Sequence, residues 1–152
     1  MAGVTFVTIA CVIALFVTGK EKDRAFECKF HLTRLSQAMR AGNQGLAHEG
    51  WDDMPTGSRF WLAAPSWPGN EQRTFPLTTD LFQCPFVKKD APRIDFLGPP
   101  KSVRKMKPGD PIGADRPGNH EQGGNVLLKN GSVQTVDGRH DLWIRAVQTL
   151  QD

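Results

Sequence analysis

The sequence predicts an α+β fold, in which a long N-terminal helix packs on a small antiparallel β-sheet head. Before Gly42, an apolar stretch passes into an amphipathic one, whereas most of the 15 glycines and all of the 11 prolines follow that residue. Near the C terminus, an Asn-Gly pair separates two β-prone runs, which is typical of a hairpin. We therefore divide the chain into an apolar helix half (1–19), its amphipathic continuation (20–42) and a loop-rich β head (43–152) with a hairpin at 125–136.

The apolar stretch has the length of a membrane span. Val4–Thr18 contains no charged residue, glycine or proline, and the uncharged stretch extends from Met1 to Gly19. As a helix it covers about 28 Å, which is close to the hydrocarbon thickness of a bilayer. Two alternatives stay open: a buried core helix, which normally shows a polar face, and a cleaved secretory signal, which needs a basic start and a small-residue cleavage site.

The amphipathic segment continues the helix toward the head. Four residues recur at helical spacing and so share one face: Cys28, Leu32, Leu35 and Met39. Neither glycine nor proline interrupts Lys20–Ala41, and Gly42-Asn43 supplies a stop signal. We expect one nearly continuous helix from about Val4 to Ala41, whose second half packs on the head.

The head begins with an irregular segment, Asn43–Pro76, in which Trp51, Trp61 and Trp67 lie among prolines and glycines. We interpret these tryptophans as the cover of a sheet edge, with a ligand-binding platform as the alternative. Further short elements are predicted along the chain: a turn of helix or strand at Leu77–Pro85, strands at Arg93–Gly98 and Ile112–Asp115, and a helix at Asp141–Leu150 with Asp141 as N-cap.

A hairpin is predicted where the runs Asn125–Lys129 and Ser132–Val136 flank Asn130-Gly131. Asn-Gly tolerates a positive φ at both central positions, so it favours a two-residue type I′ turn. His120 lies just before the first strand, ahead of Gly123-Gly124. We interpret it as a structural residue that fastens this loop to the sheet through a ring nitrogen.

None of the familiar catalytic or cofactor patterns is present in the sequence. With 19 Lys and Arg against 16 Asp and Glu, the net charge of +3 is too balanced to indicate nucleic-acid binding. The chain has no CxxC, HExxH, GxSxG or P-loop pattern. Because no serine, cysteine or carboxylate has a recognisable base partner, we expect no catalytic residue, no bound cofactor and no enzymatic activity.

The sequence contains two candidate metal sites and one candidate disulfide. Cys28 and His31 are spaced for zinc, but two more ligands are needed and none is indicated. Asp115 is a candidate Ca²⁺ ligand, with Asp110 and His120 on the same predicted loop, although a capping role of Asp115 and His120 on the hairpin is the simpler interpretation. Cys28 and Cys84 are candidates for a disulfide in an oxidising compartment, which only geometry decides.

Four segments taken in order resemble a known family: CKFHLTRLSQAMR, FQCP, DFLGPP and IGADRPGNHEQGGNVLLKNGSV. The chain is similar to type IV pilin-like and type II secretion pseudopilin-like proteins, in particular the planctomycete-type H-X9-DG group. His120 and Asn130-Gly131 have the spacing of that group, with asparagine in place of aspartate. The resemblance implies a pilin-like fold and a non-enzymatic structural or assembly subunit. It also implies a single-pass anchor in the inner (cytoplasmic) membrane, an extracytoplasmic head, and partners in the lipid bilayer and in other subunits of a filament or complex.

The N-terminal region departs from the pattern of that family. If processing followed Gly3, the fifth mature residue would be Thr8, where the family carries a glutamate that registers subunits in a filament. The basic residues of Lys20–Arg24 would, by the positive-inside rule, hold the head in the cytoplasm. Because the chain shows Thr8 in place of that glutamate, and no basic leader, we keep a second hypothesis, a single-pass membrane accessory subunit of a larger complex. It would bind an acidic partner through the head, using the tryptophan-rich segment or Lys101–Lys107 (KSVRKMK).

Overall fold

The computed structural model describes residues 25–41, 45–69, 77–85, 87 and 93–152. The helices are α1 (residues 25–40), α2 (Arg59–Leu62) and α3 (Asp141–Thr149). The strands are β1 (Phe96–Leu97), β2 (Pro111–Asp115), β3 (Gly123–Leu128) and β4 (Val133–Asp137). Short 3-10 turns lie between them, at Gly45–Ala47, Glu49–Asp53, Ala64–Ser66, Thr79–Phe82 and Val103–Lys105.

The predicted fold class is wrong, because the described residues contain three short helices beside a four-stranded antiparallel sheet, and no long apolar helix. The predicted membrane-spanning half, 1–19, lies outside the described residues, as do residues 20–24. In the described part of the chain, none of the helices has the length and apolarity needed to cross a membrane. The physical reason is that α1 is apolar on one face only. Its predicted stripe is buried, with Cys28, Leu32 and Leu35 at 0% and Met39 at 1% exposure.

The sheet has the strand order β1-β2-β3-β4, and neighbouring strands are antiparallel. β3 and β4 form a hairpin in which Leu127 pairs with Val133. The predicted type I′ turn does not occur, because Asn130 keeps a negative φ and Gly131 alone in this turn takes a positive one, of 91°. The Gly131 N–H donates to the Leu128 carbonyl at 2.9 Å, so the turn is centred one residue earlier. Gly131, with its positive φ, then leads the chain back toward β4, as in three-residue hairpin loops.

The sheet lies between two apolar layers. β3 is buried along its whole length, and its side chains alternate between the two faces. Leu127 therefore joins the layer that contains α1, whereas Val126 and Leu128 join the layer formed with α3. The α1 layer also contains the large aromatic residues of the segment 45–69: Trp51, Phe60, Trp61 and Trp67.

The three tryptophans are core residues that fill the space beside α1 and the sheet, rather than a cover over a sheet edge. Trp51, Trp61 and Trp67 are at most 1% exposed, and the ring of Trp67 lies 5.8 Å from that of Trp51 and 5.9 Å from that of Trp61. Each indole N–H donates to a backbone carbonyl oxygen, as buried tryptophans require. The ligand-platform interpretation is wrong, because no exposed ring face is left for a ligand.

Two other elements differ from prediction at their ends. The strand predicted at Arg93–Gly98 is reduced to β1, which Gly98 extends by a single bridge to Gln151. α3 has His140 as its N-cap in place of Asp141, since the His140 Nδ1 accepts the Leu142 N–H at 3.1 Å.

Candidate functional site

Two cysteines and a histidine meet in the interior beside α1. Ligand atoms of Cys28, Cys84 and His120 all lie within 4.8 Å of one another, and the two sulfur atoms are 3.0 Å apart. Both cysteines are 0% exposed and His120 is 7% exposed. The three come from α1, from the segment after the Thr79–Phe82 turn and from the loop before β3, so only the folded chain assembles them.

Local structure explains where each cysteine points. Cys28 belongs to the buried stripe of α1 and therefore faces the head. Cys84 precedes Pro85, and its backbone N–H donates to the Oδ2 atom of Asp95 at 2.8 Å. Asp95 is 2% exposed and its own N–H donates to the Phe82 carbonyl at 2.8 Å. The Cys84 backbone is thus tied to the residue that leads into β1.

A buried carboxylate lies behind the histidine. Asp115 ends β2, is 0% exposed, and places its Oδ2 atom 3.2 Å from the Nε2 atom of His120. The same oxygen accepts the backbone N–H of Asn125 at 2.7 Å and its side-chain Nδ2 at 2.8 Å. Asn125 Nδ2 also donates to the Ala25 carbonyl at 2.8 Å, and Asn125 Oδ1 accepts the Thr135 hydroxyl at 2.7 Å. This polar network joins α1 to β2, β3 and β4.

The electrostatics of this pair and of the thiols follow from the same contacts. The hydrogen bond from Cys28 to Cys84, followed by burial, raises the pKa of the Cys28 thiol far above its ordinary value. Burial by itself lowers the pKa of His120, but its interactions with Asp115 and Cys84 outweigh burial and raise that pKa to about 10. Neighbouring groups within the cluster therefore favour the protonated forms of both Cys28 and His120.

The hairpin turn makes a second contact with α1, away from the cluster. The Ser36 hydroxyl donates to the Gly131 carbonyl at 3.1 Å. The Arg40 guanidinium donates to the Asn130 carbonyl. The loop that carries His120 meets the first part of the described helix, and the turn meets its last part.

The distance between these two contacts explains the spacing of His120 and Asn130. β3 lies between them, and its six residues extend about 20 Å at about 3.3 Å per residue. From Cys28 to Arg40, α1 rises about 18 Å at 1.5 Å per residue. Because β3 and this part of α1 are similar in length, the loop before β3 and the turn after β3 both contact the same helix.

The structure separates the other sequence candidates from the cluster. The Nδ1 atom of His31 lies 3.1 Å from the Gln83 carbonyl oxygen, so His31 is not the partner of Cys28 that the zinc spacing indicated. Asp110 and Asp115 lie at opposite ends of β2, and Asp110 accepts the Lys107 N–H at 2.8 Å. The carboxylate of Asp115 is surrounded by N–H donors rather than by the oxygen ligands that Ca²⁺ prefers.

Comparisons with protein-family models, with characterised proteins and with solved structures find no match to this chain. The chemistry of the site therefore follows from its geometry alone. Two thiols and an imidazole with a carboxylate behind it can form a disulfide beside an ion pair, or can bind a soft divalent cation.

The sequence predicts two separate pairs. Cys28 and Cys84 are a disulfide candidate, and Asp115 and His120 are a capping pair on the hairpin, with Asp115 also a Ca²⁺ candidate and His120 a fastener of the loop. The sequence does not predict that the two pairs meet, nor that Asn125 links Asp115 to α1. A polar side chain in the middle of the apolar run GGNVLL was the available signal, because buried polar groups need partners.

Replacing Gly131 with alanine is expected to lower the free energy of unfolding by roughly 1–3 kcal/mol. Its φ is 91°, and an added Cβ would lie 2.7 Å from the Arg40 Nη1 atom, so both the turn and its contact with α1 are strained. Urea unfolding followed by tryptophan fluorescence measures the change. Gly109→Ala is the matched control, because a Cβ there meets nothing within 4 Å. Equal losses in the two variants would contradict the contact between turn and helix.

Proposed function

We propose that this chain is a non-enzymatic structural or assembly subunit. Its apolar N-terminal segment holds it at a membrane, and the outer face of α1 packs against like or related subunits. The observation that carries the proposal is an exposed aromatic pair on that face. Phe26 and Phe30 are 69% and 53% exposed, and residues four apart on a helix are neighbours.

The outer face of α1 has the composition of a protein interface. The guanidinium of Arg34 lies 5.6 Å from the centroid of the Phe30 ring, which extends the aromatic pair by one turn. Aromatic residues and arginine are enriched at the centres of protein interfaces. Because α1 follows the apolar stretch Val4–Thr18 within a few residues of the chain, subunits collected by that stretch bring their α1 helices together. A second copy or a related subunit is therefore the occupant that fits this face.

The buried cluster supports a structural role for the residues that carry reactive groups. Cys28, Cys84 and Asp115 are fully buried and His120 is almost so. Their side chains contact one another and join α1 to the head. This connection keeps the helix in place on the head when the outer face of α1 packs against another subunit.

Site-specific photo-cross-linking in native membranes tests the proposal. With p-benzoylphenylalanine in place of Phe30 in the full chain, we expect adducts with a second copy or with a related subunit, enriched in sheared high-molecular-weight material. The matched control carries the same group in place of Leu62, which is 64% exposed on α2, and should give no such adduct. Protein that is present in the same fractions without any adduct at position 30 would contradict the proposal.

A second candidate is an accessory subunit that binds an acidic partner through its head. Exposed basic side chains surround the Val103–Lys105 turn: Lys101, Arg104, Lys105 and Lys107. Asp52 lies 2.5 Å from Arg104 Nη1 and 3.6 Å from Lys105 Nζ, so two of the cations already have an acidic neighbour. Adducts from a cross-linker at Lys105 and none from Phe30, in protein confined to carbonate-washed membranes, would favour this candidate.

A further inference from the structure

We propose that Cys28, Cys84 and His120 bind a zinc ion, and that Asp115 positions the imidazole for it. The three ligand atoms converge within 4.8 Å of one another. In a tetrahedral site with Zn–S of about 2.3 Å and Zn–N of about 2.0–2.1 Å, neighbouring ligand atoms are roughly 3.6–3.8 Å apart. Small side-chain adjustments therefore give the ion its coordination distances without moving the backbone elements.

The ligand atoms, and the carboxylate of Asp115 behind the imidazole, are those that zinc prefers. Thiolate and imidazole are the ligands that zinc prefers, and hard cations such as Ca²⁺ and Mg²⁺ avoid them. Asp115 Oδ2 lies 3.2 Å from His120 Nε2. Nδ1 is therefore the ring nitrogen that remains to bind the ion. Zinc-binding histidines commonly donate their second ring N–H to a carboxylate, which fixes the tautomer and the ring orientation. Asp115 is held in turn by the two N–H groups of Asn125, at 2.7 and 2.8 Å.

A disulfide between Cys28 and Cys84 accounts for fewer of the observations. Their sulfur atoms are 3.0 Å apart, which lies between the roughly 2.05 Å of a disulfide bond and the roughly 3.8 Å between two zinc-bound sulfur atoms. A disulfide uses neither the imidazole nor the carboxylate, and would leave Asp115 and His120 as a buried pair whose desolvation is costly. Zinc gives a role to all four side chains.

The histidine of the site borders an open cavity. His120 lines this cavity of about 480 Å³ at the loop before β3, together with Gly118, Gln122, Arg139 and Trp143. The cavity lies on the imidazole side of the cluster. Three protein ligands leave one tetrahedral position of the zinc ion open, and a water molecule is the usual fourth ligand in such sites.

The test is cobalt and zinc titration of the untagged, reduced full chain in detergent. Cys11 lies outside the described residues and is changed to serine, so that Cys28 and Cys84 are the only thiols. We expect one Co²⁺ per chain, with a thiolate-to-cobalt charge-transfer band and tetrahedral d–d bands, and displacement of Co²⁺ by Zn²⁺. Cys84→Ser should lose much of the charge-transfer band. Asp115→Asn should keep the tetrahedral spectrum and lower zinc affinity roughly 10–100-fold.

His31→Ala is the matched control for the ligand histidine. His31 lies one turn beyond Cys28 on α1, but its Nδ1 faces the Gln83 carbonyl, so this variant should bind Co²⁺ with an unchanged spectrum. A folded, reduced chain without a charge-transfer band would overturn the zinc site. Linked Cys28 and Cys84 peptides in protein isolated from its own membrane would overturn it too, and would assign the disulfide. Cross-linking from Phe30 needs no metal, so this inference and the proposed function fail separately.

Discussion

Replacing Asp115 with alanine is expected to lower the free energy of unfolding by about 3–5 kcal/mol. The carboxylate is 0% exposed, accepts two hydrogen bonds from Asn125, and lies 3.2 Å from the His120 imidazole. Its removal leaves the buried N–H donors of Asn125 without an acceptor. Urea unfolding followed by far-UV circular dichroism measures the loss.

Two further variants serve as controls for Asp115→Ala. Asp53→Ala removes an exposed carboxylate at the end of the Glu49–Asp53 turn, and should change stability by less than about 0.5 kcal/mol. Asp115→Asn keeps an oxygen acceptor for Asn125. Its free energy of unfolding should therefore fall by an amount between those of the two alanine variants. If Asp115→Ala unfolded at the urea concentration of the native protein, the network around Asn125 would not hold α1 to the sheet.

Replacing Trp61 with alanine is expected to cost about 3–5 kcal/mol. The side chain is 0% exposed, its indole N–H donates to the Leu97 carbonyl at 3.2 Å, and its ring lies 5.1 Å from that of Phe60. It also lies against the sheet, since a Cβ on Gly113 would be 2.7 Å from the Trp61 Cζ2 atom. Truncation therefore opens a cavity between the aromatic segment and the sheet.

The neighbouring residue supplies the control for Trp61. Leu62 is 64% exposed on the same short helix, so Leu62→Ala should leave the unfolding midpoint close to that of the native protein. Thermal unfolding followed by circular dichroism compares the two variants without depending on tryptophan emission. A Trp61→Ala loss no larger than that of Leu62→Ala would show that the ring does not belong to the core.

Local patterns predicted the elements whose partners lie close in sequence. The helical spacing of Cys28, Leu32, Leu35 and Met39 identified the buried face of α1, because a helix presents every third or fourth residue to the same neighbour. Asn130-Gly131 marked the hairpin, although the turn places its single positive φ at Gly131. Periodicity did not reveal that the aromatic segment 45–69 is core, since short 3-10 turns have no lasting period.

The sequence by itself determined the amphipathic face of α1, the hairpin of β3 and β4, and the absence of a familiar catalytic pattern, because each depends on residues near one another in the chain. Only the tertiary structure decided that Cys28, Cys84, Asp115 and His120 form one buried site. The Cys28–Cys84 contact spans 56 residues and the Asn125–Ala25 contact spans 100. Contacts at such separations depend on how helix and sheet pack face to face, and no local pattern encodes that packing.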